Sequence, residues 1–163
     1  VPQHYTMHKS MHNIFNRKIF DITFNKDFYQ VITTCKNIYR RDQQGTWISD
    51  EIVEAYTRLH EMGLARSVEV WQNKKLVGGL YGVDIGNGIF CGESMFSKVS
   101  NASKVAFYTL LQDLKEKDYL LLDCQVYNEH LESLGAYEIV RSEYMKYLLE
   151  GNIRLRIKKM KAS

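Results

Sequence analysis

The chain has 163 residues, 45% of them hydrophobic and 25% charged, so one folded domain over 1–163 is expected rather than a disordered chain. No run approaches the ~20 apolar residues of a membrane helix, the opening Val1-Pro2-Gln3-His4 has no secretory pattern, and an odd set of three cysteines in apolar runs excludes a disulfide scaffold and fits reduced thiols in the cytoplasm. The net charge of +3 is uneven, because residues 151–163 carry Arg154, Arg156, Lys158, Lys159 and Lys161 with no acid, while residues 1–150 hold 17 basic and 19 acidic side chains. Such a basic tail, taken as 150–163, fits either a solvated terminus or a polyanion partner.

In chain order, 18–25 (KIFDITFN) alternates apolar and polar residues and predicts a half-buried strand. Phe28, Val31, Ile32, Cys35 and Ile38 recur at helical spacing over 26–39. After a loop at Gly45-Thr46-Trp47, Ser49 is placed to cap a helix whose first turn holds Asp50 and Glu51 and which stops at Gly63. Strands are expected at 65–72, 75–85 and 89–96, joined by hairpin turns at Asn73-Lys74 and Gly86-Asn87-Gly88. Asn101 or Ser100 caps a helix to about residue 116, and 119–126 (YLLLDCQV) has the apolar density of a central strand. A short helix at 128–134 ends at Gly135, 137–140 reads as a last strand, and 142–150 as a helix. The order β-α-α-β-β-β-α-β-α-β defines an α+β class. It resembles the fold of Gcn5-related N-acetyltransferases, in which a mixed sheet flanked by helices splays open between its fourth and fifth strands and seats the acyl donor there.

The densest motifs are Gly78-Gly79-Leu80-Tyr81-Gly82, Phe90-Cys91-Gly92-Glu93-Ser94-Met95-Phe96-Ser97, Asn101-Ala102-Ser103-Lys104 and Asp123-Cys124-Gln125. With Gly45-Thr46-Trp47-Ile48, Glu54-Ala55-Tyr56, Ser67-Val68-Glu69-Val70-Trp71 and Ser133-Leu134-Gly135-Ala136, they make the chain similar to the leucyl/phenylalanyl-tRNA–protein transferases over roughly 5–150. The resemblance implies transfer of Leu or Phe, with Met as a further candidate, from aminoacyl-tRNA to the N-terminal Lys or Arg of a protein, marking it for degradation. Family members usually carry a further N-terminal segment, aromatic- and proline-rich, and this chain is expected to begin after it. Part of the tRNA-facing surface is then expected outside these residues.

An aminoacyl ester is already activated, so such a reaction requires no ATP, metal or thioester, and no cofactor is expected. The attacking α-amine has a pKa of ~7.7–8.0 and is partly neutral near pH 7. Positioning and oxyanion stabilisation are the main tasks left to the enzyme. Asp123 and Gln125 lie two apart on a predicted strand and so face one way, with Cys124 opposite. A carboxylate beside an amide can hold an ammonium, orient an amine or polarise a carbonyl. The resemblance makes this pair the catalytic centre, and the plainer alternative is an Asp bonding a neighbouring loop.

By the same resemblance, Glu93 lies at the acceptor site and reads a positive charge, either the incoming ammonium or the basic side chain. Strict alternation separates Phe90 and Gly92 from Glu93 and Met95, so a common site requires a break in the pleat, for which Gly92 is a plausible bulge. Leu80, Phe90, Gly92, Met95, Phe107, Leu110 and Leu114 match the family's aminoacyl pocket, where Met can adapt to Leu or Phe. Any of these could equally be ordinary core, and the sequence alone favours core for Phe107, Leu110 and Leu114. Trp47 is matched to stacking on the terminal adenine of tRNA, against a simple staple onto the next helix, and Arg154, Arg156, Lys158 and Lys159 are candidates for the tRNA end.

Other patterns weigh less. His4, His8 and His12 share a helix-face spacing, but no nearby Cys or carboxylate completes a metal site. Cys124 and His130 are separated by a strand-to-helix turn, which favours a buried structural thiol. The acetyltransferase cofactor needs a Gly-rich turn before the third predicted helix, and Ser97-Lys98-Val99-Ser100-Asn101 stands there. Two rival readings stay open: a coenzyme-A-dependent N-acetyltransferase and a non-catalytic module that binds the tRNA end.

Overall fold

The computed structural model describes residues 1–5, 7, 9–39 and 46–162, and the side chains of all of these except 10 and 155–162. A short 3-10 turn (Pro2–His4) precedes α1 (Lys9–Asn16), β1 (Asp21–Phe24), α2 (Phe28–Asn37), α3 (Asp50–Glu61), β2 (Ala65–Gln72), β3 (Lys75–Asp84) and β4 (Ile89–Ser97). Then come α4 (Ala102–Glu116), β5 (Leu121–Asp123), α5 (Glu129–Ser133) and α6 (Arg141–Ala162). The five strands form one sheet in the order β1-β2-β3-β4-β5, antiparallel except for the parallel β4–β5 pair.

The expected α+β class and the splayed mixed sheet are observed. β5 pairs with β4 only from Ile89↔Leu121 to Cys91↔Asp123, while β4 continues to Ser97. The edge of β4 beyond Cys91 is therefore left open by β5, and this is the split. Helices α2 and α3 cover one face of the sheet through Phe28, Val31, Ile32, Val53, Tyr81 and Phe96. Helix α4 covers the other, packing Val105, Phe107, Leu110 and Leu114 on Val68, Val70, Leu80 and Phe90.

Local chemistry explains most boundaries. The Ser49 hydroxyl accepts the Ile52 N–H at 3.3 Å and starts α3, and Gly63, at φ +75°, ends it with its N–H on His60. Asn73 and Lys74 both adopt positive φ, the tight-turn geometry that matches strand twist. The α4 cap differs from expectation. Asn101 sits at the N-cap with φ 67° and makes no side-chain cap bond, while the Ser97 hydroxyl accepts the Ser103 N–H at 3.2 Å and donates to Val99 O at 2.7 Å.

Four expectations are corrected. Residues 9–16, where the sequence marks no element, form α1, whose Met11, Ile14 and Phe15 join the core cluster shared by α4 and the sheet. The strand at 119–126 is only Leu121–Asp123. No strand forms at 137–140: Tyr137 is 59% and Val140 67% exposed, and of the apolar residues only Ile139 packs inward, on Ile89, Leu120 and Leu121. The last helix does not stop at 150. Gly151 is a close-approach glycine inside α6, where a Cβ would collide with the backbone carbonyl of Asn87.

Candidate active site at the β4–β5 split

The register of β3 with β4 slips by one residue between Tyr81↔Ser94 and Gly82↔Gly92, leaving Glu93 as the extra residue of a bulge. The bulge re-aims β4 where its outer edge loses β5. A Cβ on Gly92 would stand 3.6 Å from the Asp123 carbonyl oxygen, so the end of β5 lies directly beside it. Tyr56 of α3 stands beside Glu93. Burial, and then this carboxylate, push the phenol up to about 12.

Asp123 ends β5, and Gln125 leaves the strand direction. Its φ is 62°, and its backbone N–H donates to Asp123 Oδ1 at 2.8 Å. The expectation that the two side chains share a face by alternation is therefore replaced by a turn closed by the carboxylate itself. Asp123 Oδ2 accepts the Tyr144 hydroxyl of α6 at 3.0 Å. Burial, then this bond, push Tyr144 up to about 12.

Two clefts meet at this turn. The smaller, about 370 Å³, is lined by Trp47, Leu80, Gly92, Glu93, Met95, Phe107, Leu110 and Gln125, with Tyr81, His130 and Leu131 completing the wall. The larger, about 650 Å³, has Asp123, Gln125, Glu132, Glu138, Arg141 and Tyr144 on its wall together with apolar side chains such as Phe107, Leu111, Leu122 and Ile139. Gln125 lines both, while Asp123 faces the larger one only. Cys91 and Cys124 are each pushed up to about 11 by burial and then by Asp123, so both thiols stay protonated beside an anionic site.

Phe90 and Leu114 do not line either cleft and are fully buried core, with the Phe90 ring filling the space a Cβ on Gly82 would need. Arg154 stands away from both clefts, bonded to Asp118 at 3.0 Å and Glu150 at 2.8 Å. The side chains of Arg156, Lys158 and Lys159 lie outside the described residues, as do Gly45 and His8. Among the described residues no cluster of three or more His, Cys, Asp and Glu side chains could hold a metal, and no helix is long and apolar enough to cross a membrane.

Sequence reasoning missed Tyr144, Tyr56 and the cleft position of His130. His130 is kept below its usual range by burial and then by Lys104. Tyr56 stood in a quoted motif without a role, and nothing local marks Tyr144. Only its contact across 21 residues does. At the start of α4, the Ala102 N–H donates to Val99 O and the Ser103 N–H to Ser97, so two of the first amides that a pyrophosphate would need are already bonded.

The fold class is that of N-acetyltransferases. The chain superposes on the aminoglycoside acetyltransferase meta-AAC0020 from an uncultured soil metagenomic sample, in complex with trehalose, with a TM-score of 0.58 at 15% identity, covering 76% of this chain and 93% of that one. It also superposes on the PaiA N-acetyltransferase of Thermoplasma acidophilum in complex with coenzyme A, with a TM-score of 0.52 at 13% identity over 74% of this chain and 91% of that one. Within that class, the family model described as leucyl/phenylalanyl-tRNA protein transferase matches residues 1–149, and the chain belongs to that family. The leucyl/phenylalanyl-tRNA–protein transferase of Flavobacterium johnsoniae is 62% identical over 140 residues, 86% of this chain and 66% of that protein. That of Thermodesulfovibrio yellowstonii is 47% identical over 150 residues, 92% of this chain and 61% of that protein. The chain thus spans just under two thirds of the length of these relatives.

Proposed function

We propose that this chain transfers Leu or Phe, with Met admitted by the same flexible pocket, from aminoacyl-tRNA to the α-amine of proteins that begin with Lys or Arg. The product is a peptide bond and a degradation signal, made in the cytoplasm where charged tRNA is found. The observation that carries this reading is the junction at Gln125, where two clefts meet in a chain of this family, one holding Glu93 among apolar side chains and the other holding Asp123.

The neutral α-amine attacks the ester carbonyl, the C–N bond forms, the C–O bond to the tRNA ribose breaks, and the amine proton passes to the departing ribose oxygen. Leu80, Met95, Phe107 and Leu110 offer the apolar surface for the transferred side chain, with Met95 able to adapt to branched and aromatic shapes. Trp47, half exposed at the rim, offers an indole face to the terminal adenine, a contact of ~1–3 kcal/mol per base. Glu93 provides the negative charge that reads the basic N-terminal residue. Asp123, fixed on both oxygens, orients the attacking amine, and the Gln125 amide polarises the carbonyl. Orientation of this kind contributes up to ~7–11 kcal/mol.

Mixing the protein with labelled Leu-tRNA and a peptide beginning with Arg tests this. Label should move to the peptide, with no thiol release from acetyl-CoA in the parallel reaction. Thiol release without label transfer contradicts the reading.

A further inference from the structure

β5 is three residues long and ends at Asp123, so the sheet itself does little to fix the side chain at its tip. Two donors do that instead. The Gln125 N–H on Oδ1 comes with the turn, and any residue but proline at 125 can supply it. The Tyr144 hydroxyl on Oδ2 comes from a different element. Its ring belongs to the α6 face, with Tyr147 and Leu148, that packs on Ile89, Leu120 and Leu121. About two turns further along the same helix, Gly151 lets α6 press against the 86–88 turn. The hydroxyl is thus held by a docked helix rather than by a loose loop.

We propose that Tyr144 is a positioning residue of the transfer reaction: its hydroxyl fixes the Asp123 carboxylate and thereby the Asp123–Gln125 turn that presents both groups at the junction of the two clefts. This inference rests on the reaction proposed above. Tyr144 touches neither reacting partner in this role and acts only through Asp123. A carboxylate held by one donor rotates about its terminal torsion, which is broad and roughly two-fold. A carboxylate held on both oxygens does not, and fixed geometry of this kind is what an orientation-dependent reaction uses.

Tyr144→Phe keeps the ring and deletes only the hydroxyl, and is compared with the wild type in steady-state transfer from Leu-tRNA to an Arg-started peptide. The expected result is a kcat lowered about tenfold, the usual scale for one hydrogen bond to a charged group, with both KM values within about twofold of the wild type. Adding Tyr144→Phe to Asp123→Ala should change nothing further, because the hydroxyl then has no carboxylate to hold. Amide exchange at Gln125 should also quicken in Tyr144→Phe while exchange in β2 and β3 stays as it is. A wild-type kcat in Tyr144→Phe overturns the proposal, as does an equal loss in the Asp123→Ala background. A Tyr144→Phe protein that fails to fold assigns the hydroxyl to stability and overturns it too. Absence of transfer by the wild type is a separate outcome, which overturns the reaction itself and this role with it.

Discussion

The two walls of the split are built in different ways. On one side, β2, β3 and β4 form long antiparallel ladders, with β2 and β3 buried for most of their length between α2–α3 and α4 and β4 half-buried over Cys91 to Met95. Glu93 stands on that platform, aimed by a bulge in the ladder. On the other side, β5 contributes three residues, α5 buries none, and Val126, Tyr127 and Tyr137 are all more than half exposed. Asp123 and Gln125 stand there, held by named hydrogen bonds rather than by a core. Packing sets the first wall and single polar contacts set the second. Damage to the first wall should therefore be read in stability, and damage to the second in rate.

The largest expected effect is on the thin wall. Asp123→Ala should lower single-turnover transfer by at least ~10²-fold, the scale for one preorganised polar group, with the thermal midpoint close to that of the wild type. A loss of tenfold or less in a folded protein would move the reaction centre away from β5. On the platform, Gly82→Ala puts a methyl against the Phe90 ring and the Cys91 carbonyl. Overpacking of that kind costs ~1–3 kcal/mol, a fall in Tm of roughly 2–4 °C per kcal/mol at this chain length. Scanning calorimetry checks it, and an unchanged Tm would show that the platform gives way more easily than its packing suggests. The smallest effect is at Arg154, whose partners Asp118 and Glu150 are solvent-exposed. Arg154→Ala should cost less than ~1 kcal/mol in a urea melt and leave transfer unchanged. A large loss of transfer would return Arg154 to the tRNA interface.

The platform was legible because its signals are local. Hairpin turns at Asn73-Lys74 and Gly86-Asn87-Gly88 separated β2, β3 and β4, and Ser49 and Gly63 bracketed α3. A bulge was expected at Gly92 because the family resemblance put residues of both strand faces at one site, and it forms one residue on, at Glu93. The thin wall was less legible. Gln125 adopts a left-handed conformation that no residue pattern at 119–126 announces, and at 137–140 Tyr137 and Val140 are exposed while only Ile139 packs inward. The helix read at 142–150 runs on through Gly151, whose close approach to the 86–88 turn no local pattern marks, and the Ser97 cap of α4 reaches over six residues. Asp123, Gln125 and Glu93 were singled out through the family resemblance. Tyr144 was not, because its meaning lies wholly in a contact between distant elements.

The central claim is that donor and acceptor meet at the split between these two walls. It is tested most directly by titrating the protein with a non-hydrolysable 3′-amide analogue of leucyl-adenosine and mapping the backbone amides whose NMR shifts move. The account predicts movement at Trp47, Glu93 and Gln125, on both walls at once. Shifts confined to the outer surface of α2 and α3 or to β1, with Glu93 and Gln125 unmoved, would contradict it.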